Sequence, residues 1–311
     1  MYPVLGSLGP LTISSFGVFL GLGILVTIFV FWRLARAYDL NEEKVTDVAF
    51  WALIVGFVFA RILFVILNWE LFNDLGKIIL INHYPGLSLW GGLIGGSLTI
   101  WFFTQRYKLN FWQIGDFVAV GMLLGLAVGD IGCLLGGCNV GISSNLPFAV
   151  SSVGAIGKRL PIALIEALIL FWIFLKLWKQ VVRFHFAGKI LALSLIAAGI
   201  VKFVIEFFRA EHTFIGGIVL DQLFATVLII VGLGVFYKQS KRSIISDLRE
   251  LVEIFYVPKK RQEILVILRR NWNNFRVIWK IRFDKLVRFL GNLPKILKRR
   301  LNVRATPKDI V

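Results

Sequence analysis

The sequence predicts an all-α polytopic transmembrane bundle of about seven helices, with the amino terminus outside and the carboxyl terminus cytoplasmic. Three observations predict it: an apolar content far above that of soluble domains, seven apolar runs of near-spanning length, and basic residues concentrated in alternate connections. Hydrophobic residues make up 58% of the 311 and the mean hydropathy is +0.79, against roughly 45–50% apolar residues in a soluble domain. Water is not the main solvent of such a chain.

A helix crosses a hydrocarbon layer of about 30 Å with about 20 apolar residues, because its backbone polar groups must be satisfied within the segment. The runs 13–31, 48–67, 87–103, 117–135, 162–177, 190–208 and 219–236 meet or approach that length. The third and fifth are short, so tilted, interfacial or partly re-entrant segments remain open there. Arg33, Arg36 and Lys44, then Arg106 and Lys108, then Lys176, Lys179, Arg183 and Lys189 fall on one side together with the tail, and the other side holds Lys77, Lys158, Arg159 and Arg209. Positive residues stay in the cytoplasm, which sets the orientation. No basic region precedes the first apolar run and no small-residue cleavage site follows it, so that run is expected to persist in the mature protein. The outer segments 68–86 and 136–161 are rich in Gly, Asn, Ser and Pro, and a site can be built on that face.

The formal charge of +17 is a property of the tail: residues 238–311 carry 20 Lys and Arg against 6 Asp and Glu, a net of +14, leaving +3 for the rest. The chain therefore divides into a bundle, 1–237, and a basic tail, 238–311. Leu265, Leu268, Trp272, Phe275, Trp279, Leu286 and Phe289 approximate one helical face, with Arg269, Arg270, Arg276, Arg282 and Lys285 around it. This reads as helix lying on the cytoplasmic membrane surface, held by about 1 kcal/mol per basic residue near anionic headgroups. A solvated or self-associating basic helix is the alternative. No nucleic-acid-binding motif accompanies the charge, so nucleic acid is not an expected partner.

His83, His185 and His212 are dispersed, without ligand spacing, so no metal site is expected. Cys133 and Cys138 are too few for a disulfide scaffold. They read as buried or interfacial free thiols, with a disulfide at the outer end of the fourth span as the alternative.

The informative residues are the charges inside the apolar runs: Arg61, Asp130, Glu166, Lys202 and Glu206, with Asp116 and Arg209 at run ends. Each costs about 2.5–3.5 kcal/mol at mid-bilayer if unpaired, so they are expected to face inward and meet one another or a polar cavity. Lys202 and Glu206, at i and i+4, stack on one helical face and permit an internal ion pair. Arg61, Lys202 and Arg209 together are expected to seat an anionic phospholipid headgroup. A closed structural network with Asp130, Glu166 and Glu206 is the competing reading. Gly91, Gly92, Gly95 and Gly96 exceed what one packing face requires, and favour close helix packing beside a cavity.

Seven segments in order resemble the prolipoprotein diacylglyceryl transferases. Gly9-Pro10-Leu11 followed by Phe16-Gly17 is similar to the family's opening Gly-Pro…Tyr-Gly, and Arg61 sits where the family has its Gly-Arg. Leu87-Ser88-Leu89-Trp90-Gly91-Gly92-Leu93-Ile94-Gly95 resembles Met-Ser-Phe-His-Gly-Gly-Leu-Ile-Gly. Asp116 matches the Asp that opens the fourth helix, and Gly129-Asp130-Ile131-Gly132 resembles Gly-Arg-x-Gly. Arg159-Leu160-Pro161…Glu166 and Lys202-Phe203-Val204-Ile205-Glu206-Phe207-Phe208-Arg209 are similar to the family's later motifs, the second to Arg-x-x-x-Glu-Phe-Phe-Arg. The similarity covers roughly residues 6–237.

The resemblance implies a seven-helix enzyme of the bacterial inner membrane that needs no cofactor. Such an enzyme moves a diacylglyceryl group from phosphatidylglycerol to the thiol of a lipobox cysteine on a preprolipoprotein. On that implication Asp130, Lys202 and Glu206 are the candidate catalytic residues, Asp130 or Glu206 as base. Arg61, Lys202, Arg209, Gly91 and Gly92 would bind the phospholipid, and Asp116 and Glu166 would form a structural network. The sequence departs from the pattern at Trp90, where the family has His, at Asp130 and Lys202, where it has Arg, and at Phe16, Leu160, Ala163 and Ala198. A non-catalytic relative that binds anionic phospholipid or organises the membrane is the second expectation.

Overall fold

A computed structural model describes residues 2–8, 11–72, 76, 78, 86–151, 157–183, 185–210, 214–215, 218–247 and 249, and residues 262, 266, 269, 270, 272, 273 and 276. Seven long helices carry the described part: α1 (Ser15–Ala37), α2 (Glu42–Leu67), α3 (Leu89–Arg106), α4 (Phe111–Gly136), α5 (Ile162–Val181), α6 (Lys189–Glu206) and α7 (Leu220–Ser240). Several begin or end beyond the apolar runs because a polar cap extends them. The Asn41 side chain accepts from Lys44 N, which lets α2 start at Glu42, and Asn110 caps α4 through Trp112 N.

Neighbouring helices approach through small residues. A Cβ on Gly23 of α1 would stand 2.6 Å from Gly125 O of α4, one on Gly95 of α3 2.6 Å from Phe59 Cβ of α2, and one on Gly199 of α6 2.8 Å from Ala225 O of α7. Thr27 Oγ1 donates to Gly23 O (2.8 Å) and to Gly121 O across the first interface (3.2 Å). In each pair, rising numbers on one helix meet falling numbers on the other, so the partners run antiparallel. The starts of α1, α3, α5 and α7 therefore share one end of the bundle with the finishes of α2, α4 and α6.

That end is dressed with three two-stranded antiparallel hairpins, which the sequence reading does not anticipate: β1–β2 (Val4–Leu8, Leu11–Ser14), β3–β4 (Val150–Ser151, Lys158–Arg159) and β5–β6 (Phe214–Ile215, Ile218–Val219). They precede α1, α5 and α7 and pair backbone groups that no helix satisfies. At the opposite end Tyr107 Oη donates to Asp47 Oδ2 (2.8 Å), and this hydrogen bond holds the phenol above its usual pKa range.

The burial pattern is inverted relative to a soluble protein. Leu25, Ile66, Leu168 and Ile230 are 60–63% exposed on helix flanks, whereas Asp130, Glu166 and Glu206 are 7%, 1% and 4% exposed. Apolar side chains cover the outside and charges lie within, as a lipid solvent demands. Helices α1, α2, α4 and α7 are long and apolar enough by themselves to cross a membrane. The other three are 18 to 20 residues long, and α5 and α6 each carry three charged residues while α3 carries the glycine run. The chain is an all-α membrane helical bundle.

The chain clusters into two units, Met1–Lys241 and Arg242–Val311. In the second, Val266 and Trp272 are helical and exposed. Leu265, Leu268, Phe275, Trp279, Arg282, Lys285, Leu286 and Phe289 of the expected amphipathic face lie outside the described residues.

The glycine packing predicts that Gly125→Ala, whose Cβ would stand 2.7 Å from Gly23 O, costs about 1–3 kcal/mol of stability. Gly129→Ala on the same helix meets nothing within 4 Å and should leave the thermal midpoint in detergent unchanged. Equal losses in the two variants would overturn the packing account.

Candidate active site

The internal charges gather at the hairpin-covered end. Lys202 Nζ of α6 lies 2.5 Å from Glu166 Oε1, one turn into α5. The i, i+4 spacing permits a pair with Glu206 on the same helix, but the contact formed is the one across helices. Both Glu166 and Glu206 are almost wholly buried, so each carboxylate must be neutralised in place, and Lys202 serves Glu166 across the helix interface. Glu206 instead pairs with Arg209 in the next turn, at 3.4 Å.

Asp130 of α4 interacts electrostatically with both Glu166 and Lys202, and Lys202 in turn with Asp221. Among the described residues, Oδ2 of Asp130 is buried with no hydrogen-bond partner. A buried carboxylate oxygen with a free lone pair is placed to accept a proton. Asp130, Glu166 and Lys202 are thus brought together, and Arg209 and Glu206 join them through Asp221.

Asp221 escaped the sequence reading. It lies in the first turn of α7, where a carboxylate suits the helix N-terminus. Its Oδ2 accepts from Arg209 Nη1 and its Oδ1 from Trp90 Nε1, both at 2.7 Å. Trp90 stacks on Phe224, ring centroids 4.9 Å apart. An acid at the edge of the last apolar run was the available signal, and hydropathy alone does not separate it from an ordinary loop residue.

Arg61 is bound differently from the other two cations. Its Nε donates to Ile78 O and its Nη1 to Gly86 O, both at 2.9 Å, and its guanidinium lies 5.0 Å from the Phe72 ring. The described contacts tie it to the segment after α2. Ser88 N donates to Ala60 O (3.0 Å), which sets the start of α3, with Trp90, beside it. Gly91 serves packing: a Cβ there would come 2.9 Å from Ala60 Cα. Gly92 meets its neighbours at ordinary contact distances, 3.7 Å from Ala60 Cβ.

Asp116 stands apart from Glu166, near the opposite end. It accepts from Gly188 N (2.8 Å) and Leu191 N (2.7 Å), capping α6, with His185 Nε2 at 3.3 Å. The two acids expected to share a network therefore belong to two.

Cys133 and Cys138 form a disulfide, which corrects the free-thiol expectation. Gly137 ends α4 with φ 77°, so Gly137 N and Cys138 N both donate to Cys133 O (2.9 and 3.2 Å). This left-handed turn brings the two cysteine Cα atoms to 5.1 Å, inside the distance a disulfide bridges. The strand of chain that follows straps the end of α6: Ala210 N donates to Val140 O (2.9 Å) and Ile142 N to Phe208 O (3.0 Å), one on each side of Arg209.

The pairing predicts that Glu166→Gln or Lys202→Met singly costs about 3 kcal/mol by leaving its partner uncompensated. The double variant should lose clearly less than the two singles combined. Additive losses, read from unfolding in detergent, would show that the two side chains do not act as a pair.

The profile of the prolipoprotein diacylglyceryl transferase family matches residues 3–238. A phosphatidylglycerol–prolipoprotein diacylglyceryl transferase of Finegoldia magna is 32% identical over 239 residues, covering 76% of this chain and 94% of the relative. One of Staphylococcus saprophyticus is 29% identical over 74% of this chain and 86% of its own length. The second such transferase of Clostridium perfringens is 28% identical over 76% and 95% respectively. The buried charges at one end of an apolar helical bundle sit within this matched region, and the chain belongs to the prolipoprotein diacylglyceryl transferase family.

Proposed function

We propose that the chain is a phosphatidylglycerol–prolipoprotein diacylglyceryl transferase of the bacterial inner membrane. It crosses the bilayer seven times with its amino terminus outside and presents its basic tail to the cytoplasmic membrane surface. The antiparallel alternation of helices and the basic residues of alternate connections support the topology. What carries the functional reading is one juxtaposition: the unpartnered buried oxygen of Asp130 beside the Lys202–Glu166 pair, in a chain whose relatives bear that activity in their names.

In this reading Asp130 takes the proton from the lipobox cysteine thiol. The thiolate sulfur forms a bond to the terminal glyceryl carbon of the lipid, the carbon–oxygen bond to phosphate breaks, and glycerol phosphate leaves with the electron pair. Lys202 and Arg209 stabilise the charge that collects on the departing phosphate, and Arg61 orders the adjoining segment. Trp90 supplies no base; its indole N–H is a donor only.

Reconstituted with phosphatidylglycerol and a lipobox peptide, the chain should produce a peptide heavier by one diacylglyceryl group. Asp130→Asn and Lys202→Ala should each slow that product by about a hundredfold or more. A chain that binds the lipid yet yields no adduct beside an active relative is a lipid binder, and the transferase reading falls. Removal of residues 242–311 should reduce attraction to anionic vesicles while the remainder resists carbonate extraction; release by carbonate would overturn the topology.

A further inference from the structure

With Asp221, and with Lys202, whose side chain is 21% exposed, Arg209 is one of the reachable members of the charged cluster. Its side chain is 26% exposed and that of Asp221 27%, whereas Glu166 and Glu206 are 1% and 5% exposed in their side chains. Both described contacts of the guanidinium use one nitrogen: Nη1 meets Asp221 Oδ2 at 2.7 Å and Glu206 Oε2 at 3.4 Å. Its Nε and Nη2 have no partner among the described residues. Meanwhile the strap from 140 to 142 fixes the backbone on both sides of Arg209, so the guanidinium stays at this end of the bundle whichever anion it holds.

Asp221 does not depend on Arg209 alone. Its other oxygen keeps the Trp90 indole N–H at 2.7 Å, and it sits in the first turn of α7, where the helix dipole favours a negative group. Trp90 is itself held by stacking on Phe224. A carboxylate with two further supports can release a cation at modest cost, and the forked guanidinium suits phosphate oxygens better than a single carboxylate contact through Nη1.

We infer that Asp221 is a resident anion that occupies Arg209 until a lipid phosphate displaces it, and so sets the affinity and the charge selectivity of the headgroup site. This rests on the lipid-binding reading above. Displacement leaves Asp221 on Trp90 and transfers Arg209 to the phosphate, with no covalent change. A lipid without phosphate has nothing to offer Arg209 and leaves the pair intact. The arrangement also gives Trp90 a positioning role: it retains the displaced carboxylate near the site.

The test is direct binding of phosphatidylglycerol to the full-length chain in detergent, with diacylglycerol of the same acyl chains as the uncharged control. Asp221→Asn removes the competing charge but keeps a partner for Trp90, and should bind phosphatidylglycerol roughly tenfold more tightly with diacylglycerol binding unmoved. Asp221→Glu should bind like the unaltered chain. A merely structural Asp221 gives the opposite sign: unchanged or weaker binding by a folded Asp221→Asn chain overturns the inference while leaving the transferase reading intact. If the unaltered chain and the variant both fail to bind phosphatidylglycerol, the lipid-site reading fails and takes this inference with it. Should Asp221→Asn not fold, a structure of the unaltered chain in phosphatidylglycerol nanodiscs decides. Arg209 on phosphate and Asp221 on Trp90 alone is the expected result; phosphate bound beside an intact Arg209–Asp221 pair is the contrary one.

Discussion

The contact between Lys202 and Glu166 governs the rest of this bundle. A carboxylate 1% exposed and surrounded by apolar helices has no water to solvate it, and losing its cation would leave an uncompensated charge in a low-dielectric interior. The two helices that carry the pair, α5 and α6, must therefore hold their depth relative to each other. Through Lys202 the constraint spreads to Asp130 on α4 and Asp221 on α7. Four helices are coupled electrostatically at one end, where apolar packing alone would allow them to slide.

Close approach makes that coupling geometrically possible. Lipid tails are as apolar as leucine, so helices in a membrane gain little from hiding apolar faces and associate instead through close contact and polar links. The glycine contacts of α1 with α4, α2 with α3 and α6 with α7 bring backbones within reach of one another. The hairpins lie at the charged end, and the strap behind Gly137 fixes the backbone on both sides of Arg209. Charge supplies registry and small residues supply proximity; neither would build this end without the other.

The helical class and most spans were legible in the sequence because hydropathy reports the solvent, and the solvent here is lipid. Boundaries were less so: α2 begins at Glu42 and α4 at Phe111, in polar turns that hydropathy discounts. Identities of the buried charges were legible for the same reason that they are costly. Their partners were not. The i, i+4 spacing of Lys202 and Glu206 satisfies a rule for isolated helices, but it carries no information about Glu166 on another helix, or about Arg209 as the cation that serves Glu206. Asp221 was overlooked because its significance lies in Trp90 and Arg209, 131 and 12 residues away. The disulfide was misjudged because spacing says nothing of the left-handed backbone at Gly137 that folds Cys138 back.

That bridge has a chemical corollary. The chain contains two cysteines and both are joined to each other, one helical turn beyond Asp130. A catalyst for sulfur alkylation faces the hazard of labelling itself, since any sulfhydryl of its own near the electrophilic carbon would rival the intended nucleophile. Here that rivalry is silenced by oxidation: with both sulfurs held in the bridge, the chain presents no thiol of its own.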